Sequence, residues 1–255
     1  MGDNILTMIK VIELPIDKDM GGLTSYVLQL YRMIDKEEFE LTLLSYDDPQ
    51  NFDVNYKVET VSRPYHIIQF YKKMKCLLSE GKDIIHFHQS YVNIIPILTA
   101  KLAGFKTIIL HAHSSSIDDN RKMVRFLKTG LHKVGRFLLP YLVDTYIGCS
   151  TKASEWMFPR KCIDSDSYYL LHNAIDLDLY DRNINLGLEV RQKFNIPKDA
   201  LVVGHIGRFT PVKNHSFIID IFKEVLKQNP NSYLFLLGDG VERHKVESLV
   251  KLADI

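Results

Sequence analysis

The chain has 255 residues, of which 46% are hydrophobic and 25% charged, with a formal net charge of +1. That is the profile of an ordinary globular chain able to bury a full core, and the balanced charge removes the bulk argument for a nucleic-acid partner. The three cysteines, Cys76, Cys149 and Cys162, have neither paired metal spacing nor a secreted-disulfide pattern, so a reducing, cytoplasmic setting is expected.

The first residues carry Asp3 and only a short apolar run before Glu13, which does not make a signal peptide. Short apolar runs then alternate with longer amphipathic segments, the pattern of a parallel sheet wrapped by helices. Strands are predicted at 5–12, 40–46, 83–88, 107–113 and 145–150. A helix is predicted at 22–34, with Leu23, Val27, Leu30 and Ile34 on one face. In 121–143 the stripe Val124, Leu127, Leu131, Val134 and Leu138 faces one way, with Arg121, Lys122, Arg125, Lys128, Lys133 and Arg136 on the other side. This segment reads either as a sheet-covering helix or as one lying on an anionic membrane surface. Its longest apolar run, 137–143, is far below the roughly 20 residues that span a bilayer. The polar stretch 176–187 reads as a connection, giving domains at 1–180 and 181–255. The pattern then restarts with a strand at 201–207, a helix from near Lys213, a strand leading into the GDG of 238–240, and a last helix to residue 255. The fold class is α/β, with a second doubly wound unit that stops after two strands where roughly five or six are usual.

The sequence GHIGRFTPVKNH at 204–215 is a glycine-rich strand end followed by a helix start. Glycine lets a ligand approach the backbone, and a helix N-terminus offers free N–H groups to an anion. Arg208 supplies a planar fork and Lys213 a compact charge, together suited to a diphosphate. Neither a Walker loop nor a dinucleotide fingerprint is present, and a solvated Arg and Lys at a corner is the competing reading. Gly21 and Gly22 form a second glycine corner, after the first strand, either a simple turn or part of a ligand-facing loop. The histidines of HFH (His86, His88) and HAH (His111, His113) alternate on two strands, so each pair shares a face. They are expected in a core or cleft, with no metal. At a strand end, His113 is placed to donate a hydrogen bond to a polar substrate or to carry a proton.

Taken in order, the GG loop, DIIHFHQS (83–90), LHAHSSS (110–116), YIGCSTKASEWMF (146–158), LHNAIDLDLY (171–180), VVGHIGRFTPVKNH (202–215) and LFLLGDG (234–240) resemble the retaining family 4 glycosyltransferases of bacterial capsular and exopolysaccharide synthesis. The resemblance covers nearly the whole chain. It implies two facing Rossmann-like domains (the GT-B fold) with a UDP- or GDP-linked sugar donor held mainly by the second. It also implies a saccharide or lipid-linked acceptor, transfer with retention and no metal. Arg208 and Lys213 match the family's diphosphate-binding pair. Gly21, Gly22, Gly207, Gly238 and Asp239 fall in its donor-binding segments, His113 matches a histidine near the transferred sugar, and Asn173 matches the interdomain turn. The cytoplasmic membrane face is the implied location.

The family's Glu, seven residues, Glu motif and the closing helix after it have no match here. Glu242 and Glu247 are too early and wrongly spaced, so the second domain is expected to be incomplete. Two other functions fit the same residues. One is a non-catalytic nucleotide-sugar-binding partner of a split enzyme, and the other is a nucleotide-sugar epimerase of the same architecture.

Overall fold

The computed structural model describes residues 8–17, 21–48, 52, 56–117, 119, 121–177 and 184–253. Residues 5–7 of the predicted opening strand, 178–183 of the predicted connection and 254–255 of the last predicted helix lie outside them. The chain divides into two compact units, Met1–Asp176 and Leu177–Ile255.

The first unit is built, in order, from β1 (Ile9–Ile16), α1 (Gly22–Met33), β2 (Phe39–Ser45), β3 (Val58–Thr60), α2 (Ile67–Ser79), β4 (Ile84–Gln89) and α3 (Ile94–Ala103). β5 (Thr107–Ala112), α4 (Lys122–Leu142), β6 (Thr145–Gly148), α5 (Thr151–Met157), α6 (Arg160–Ile163) and β7 (Tyr168–Leu170) complete it. Its seven strands are parallel, in the order β3-β2-β1-β4-β5-β6-β7. The order reverses between β1 and β4, which makes a switch point with a crevice beyond the strands' carboxyl ends.

Strand alternation sorts the side chains. Ile12 and Leu14 of β1, Ile85 and Phe87 of β4, and Ile108 and Leu110 of β5 share a core with Phe70, Met74 and Leu77 of α2, Ile97 of α3 and Leu139 of α4. Against the opposite face, α1 packs Val27 and Leu28 on Ile16 and Leu43. Glu13, His86, His88 and His111 belong to this second face and are buried. Caps fix α3, the helix after β4, at both ends: the Asn93 side chain accepts from Ile95 N, and Gly104 closes it in the left-handed conformation at φ 107°.

Three local expectations are corrected. The first strand runs to Ile16 rather than ending at residue 12, because buried imidazoles across β4 accommodate Glu13. β3 and β7, three residues each, were not predicted. In α4 the predicted stripe is packed only in part: Leu131 and Leu138 pack on the core beside the buried His132, Gly135 and Leu139, whereas Leu127 and Val134 are exposed. A Cβ on Gly135 would lie 2.5 Å from Val92 Cγ1, so α4 presses against the loop after β4. At the same place Val92 N donates to His132 Nδ1 (3.0 Å). The Trp156 ring stacks on His132 (4.2 Å between centroids), and its Nε1 donates to Ser90 O (3.1 Å).

The second unit contains α7 (Ile184–Lys193), β8 (Leu201–Ile206), α8 (His215–Gln228), β9 (Ser232–Leu237) and α9 (Arg243–Ala253). Among the described residues its sheet is the parallel pair β8 and β9, and its core cluster is Phe209, Ile219 and Val246. The helix predicted from near Lys213 begins at His215. Pro211–Lys213 form a 3-10 turn, and Asn214, left-handed at φ 48°, interrupts the path. No helix among the described residues is long and apolar enough to cross a membrane.

Candidate functional site

In the first unit, register brings the polar residues of three strands together. Glu13 on β1 lies opposite His86 on β4, and His88 lies opposite His111 on β5. The buried Glu13 carboxylate meets His88 Nε2 at 2.6 Å and His86 Nδ1 at 3.0 Å. His88 Nδ1 lies 2.8 Å from His113 Nε2. Tyr26 of α1 sets its ring against this row, 5.2 Å from the centroids of His111 and His113. His113, just beyond β5 and half-buried, therefore stands at the end of a hydrogen-bonded line that starts at Glu13.

Burial acts on every member of the line. It would raise the Glu13 carboxyl, but the charges and hydrogen bonds of His86 and His88 outweigh it and hold the group down to about 2. Burial and the neighbouring imidazoles hold His88 down to about 4 and His113 to about 3, against the opposing pull of Glu13. His111 is pushed down by burial and the other imidazoles as well. Both of its ring nitrogens, and His86 Nε2, are buried without a hydrogen-bond partner. His86, His88 and His111 bring one ring nitrogen each within 4.8 Å of one another, but Glu13 already engages the first two.

Glu13 is the member that sequence reading missed. A glutamate after an apolar run reads as a strand end. The usable signal was indirect: two H-x-H strands placed side by side require a partner for their inward nitrogens.

In the second unit the corner after β8 is made by backbone contact. Gly207 N donates to Leu237 O (2.9 Å), Phe209 N to Asp239 O (2.8 Å) and Glu242 N to Phe209 O (2.9 Å). Gly238 and Gly240 have φ of 145° and 152°, and a Cβ on Gly238 would lie 2.1 Å from Gly207 O. No other residue type fits there without displacing the backbone. The Lys213 side chain lies over Gly207, with Cδ and Cε 3.5 Å from where a Cβ would stand. Arg208, Lys213 and Asp239 are exposed, and among the described residues neither Arg208 nor Lys213 forms an ion pair. Beneath them Phe209 stacks on the buried His215 (4.2 Å).

The structure thus gathers Gly207, Arg208, Lys213, Gly238 and Asp239 at one corner of the second unit, and places His113 in the first. Gly21 caps α1 in an extended conformation, and a Cβ on Gly22 would meet nothing within 4 Å, so the space over this corner is open. Asn173 is exposed in the irregular segment after β7. That segment is tied back to the first unit: His172 Nδ1 donates to Cys149 O (3.1 Å), and the Gln29 amide, suitably oriented, bridges Ala174 O and Asp176 N.

Residues 20–179 match the family model described as Glycosyltransferase Family 4. The chain belongs to that family. Residues 188–255 match the model for Glycosyl transferases group 1. Among the chain's relatives, a Bacillus subtilis (strain 168) protein named as a glycosyltransferase, EpsF, is 25% identical over 249 residues, covering 91% of this chain and 62% of EpsF. The Escherichia coli UDP-Gal:alpha-D-GlcNAc-diphosphoundecaprenol alpha-1,3-galactosyltransferase is 22% identical over 245 residues, again covering 91% of this chain and 62% of the relative. The chain therefore spans somewhat less than two thirds of the length of these relatives. A solved glycosyltransferase structure from Rickettsia africae ESF-5 matches with a TM-score of 0.64 at 10% identity, covering 97% of this chain and 66% of that one. At that identity the likeness speaks for the fold, which is the α/β GT-B fold.

Proposed function

We propose that this chain works as a retaining glycosyltransferase. It would move a sugar from a UDP- or GDP-linked donor to a saccharide or lipid-linked acceptor in capsular or exopolysaccharide synthesis. The observation that carries this reading is the corner of the second unit. Two exposed cations, Arg208 and Lys213, which form no ion pair among the described residues, flank a loop that Gly207, Gly238 and Gly240 allow to close tightly on itself. As the bond between the sugar and the diphosphate breaks, negative charge grows on the leaving oxygens. Arg208 and Lys213 would stabilise that charge more strongly in the transition state than in the bound donor. A donor phosphate oxygen would then take the proton of the acceptor hydroxyl on the face from which it attacks, which retains the configuration. On this reading residues 181–255 form the donor side and 1–180 the acceptor side, with Gly21 and Gly22 near the phosphates, His113 near the sugar and Asn173 at the turn between them. The E. coli relative, whose name states a UDP-linked donor and a diphosphoundecaprenol-linked acceptor, supports a UDP sugar and a lipid carrier.

A lipid-linked acceptor would place the reaction at the cytoplasmic membrane surface, and α4 has a face suited to it. Met123, Phe126, Leu127, Val134, Phe137 and Tyr141 recur at helical spacing and are each at least 60% exposed. Lys122, Arg125 and Lys133 are exposed beside them. This is the composition of a helix that lies in an anionic interface.

The test is a thermal-shift titration with UDP, GDP and their sugars, on the unaltered chain and on Arg208→Ala and Lys213→Ala. One nucleotide should raise the midpoint, by about 2.7 kcal/mol of stabilisation at a hundredfold excess over Kd, and both variants should lose most of the rise. Absence of any shift, or a shift that survives both substitutions, refutes the assignment of the corner. Free UDP formed together with a glycosylated acceptor separates transfer from epimerisation.

A further inference from the structure

The line from Glu13 to His113 has a direction, and the direction follows from what each group can do. Glu13 is ionised, and an ionised carboxylate only accepts hydrogen bonds. The atom 2.6 Å from it, His88 Nε2, must therefore carry hydrogen. A neutral imidazole has one hydrogen on its ring nitrogens, so His88 Nδ1 is bare and accepts. The atom 2.8 Å away, His113 Nε2, must then donate, which leaves His113 Nδ1 without hydrogen. The groups packed around His113 agree with a neutral ring: His88 from β4, His111 from β5 and Tyr26 from α1, with His86 and Glu13 behind His88.

We infer that Glu13 and His88 are positioning residues that lock His113 in its Nε2–H tautomer. His113 then presents Nδ1 as a hydrogen-bond acceptor for a hydroxyl of the bound sugar, rather than acting as a donor or a proton carrier. The sugar-facing part rests on the donor-site reading given above; the tautomer rests on the two short contacts together with the ionised Glu13 and the neutral His88. A neutral acceptor selects for a hydroxyl in reach and gives nothing to a deoxy position. It also keeps a positive charge away from the sugar carbon, where positive charge develops as the leaving group departs.

The experiment is long-range 1H–15N NMR on the full 255-residue chain labelled with 15N-histidine, with ring signals assigned by single substitutions, at several pH values from 6 to 8. The expected spectrum has a protonated Nε2 and a bare Nδ1 for His113 throughout, with the same pattern for His88. The isosteric Glu13→Gln, which replaces one acceptor oxygen by a donor, should convert His113 to mixed or reversed tautomers while the other histidine signals mark an intact fold. Detection of Nδ1–H or of an imidazolium at His113 in the unaltered chain overturns the lock without recourse to any variant. So does a Glu13→Gln spectrum with His113 unchanged. UDP, UDP-glucose and UDP-galactose are then added. A shift of the His113 Nδ1 signal with a sugar nucleotide but not with UDP supports the acceptor role. If the sugar nucleotides raise the melting midpoint and leave Nδ1 unmoved, the acceptor role falls while donor binding stands. If none of the three binds, the donor reading falls and takes the sugar-facing role with it, leaving the tautomer to its own test.

Discussion

Glu13 and its imidazoles make the first unit sensitive to acid. In the folded chain Glu13 releases its proton down to about pH 2, against 4.5 for a free glutamate. His88 and His113 are held at about 4 and 3, against 6.5 when free. In each case the folded pKa is depressed, so as pH falls the unfolded chain takes up protons that the folded chain refuses. Stability should fall once pH drops below 6.5, through the histidines, and fall further below 4.5, through Glu13. Calorimetric melts from pH 8 to 4 should show this decline, and a midpoint that is flat from pH 7 to 5 contradicts it. The glycines offer a second comparison at this scale. Gly22→Ala meets open space in the first turn of α1, so it should leave stability unchanged or raised by up to about 1 kcal/mol. Its donor affinity should nevertheless fall if phosphates approach there. Gly238→Ala forces a methyl group into Gly207 O and should cost the second unit about 1–3 kcal/mol. Melting curves together with nucleotide titrations distinguish the two. The place of these glycines after strands was legible in the sequence, whereas the contact between Gly238 and Gly207 was not, because it joins residues thirty-one positions apart.

Among the secondary-structure elements, the alternation of apolar runs and amphipathic segments was enough to find the long strands and α1, since each buries a periodic face. It failed where length or doubling defeated the period. β3 and β7 are too short to alternate visibly. In α4 two apolar stripes run side by side, one packed through Leu131, Leu138 and Leu139 and one exposed through Phe126, Val134 and Phe137, so that a single predicted stripe mixed them. The packed stripe shows that α4 covers the sheet, which makes the outward one available for a surface. Sedimentation with vesicles containing anionic lipid should pull the chain down, and with zwitterionic vesicles much less. Phe126→Ser combined with Phe137→Ser should abolish the binding without lowering the melting midpoint of the first unit, because both side chains are more than 70% exposed. Equal binding to both vesicle types, or binding unaffected by the double substitution, would remove α4 from the membrane.

At the scale of the molecule, the two units differ in how much they bury. The first has a continuous core on one side of seven strands, whereas among the described residues the second has a core cluster of Phe209, Ile219 and Val246, with Ile196, Ala200 and Phe222 also buried, beside a two-stranded sheet. Ile206, Val241 and Leu252 are each about 80% exposed. A core that small gives little stability, and exposed apolar side chains favour association. Two transitions are expected in calorimetry, with the second unit melting first and only its transition moved upward by the nucleotide. Sedimentation should show association that grows with concentration. A single two-state transition in a monomeric chain would contradict both expectations. The division into two units was legible in the polar stretch between them and in the restart of the strand pattern. The small number of strands in the second unit was legible in the same pattern.

The stacking of Trp156 on His132 supplies a ready optical probe. Trp156 is the chain's one tryptophan, and it sits in the first unit against α4. Fluorescence excited at the red edge of the absorption band should therefore follow the first unit alone, while far-ultraviolet circular dichroism follows both. Burial and the nearby Arg136 hold His132 down to about 4, so the emission should stay steady through neutral pH and be quenched when that ring gains its proton.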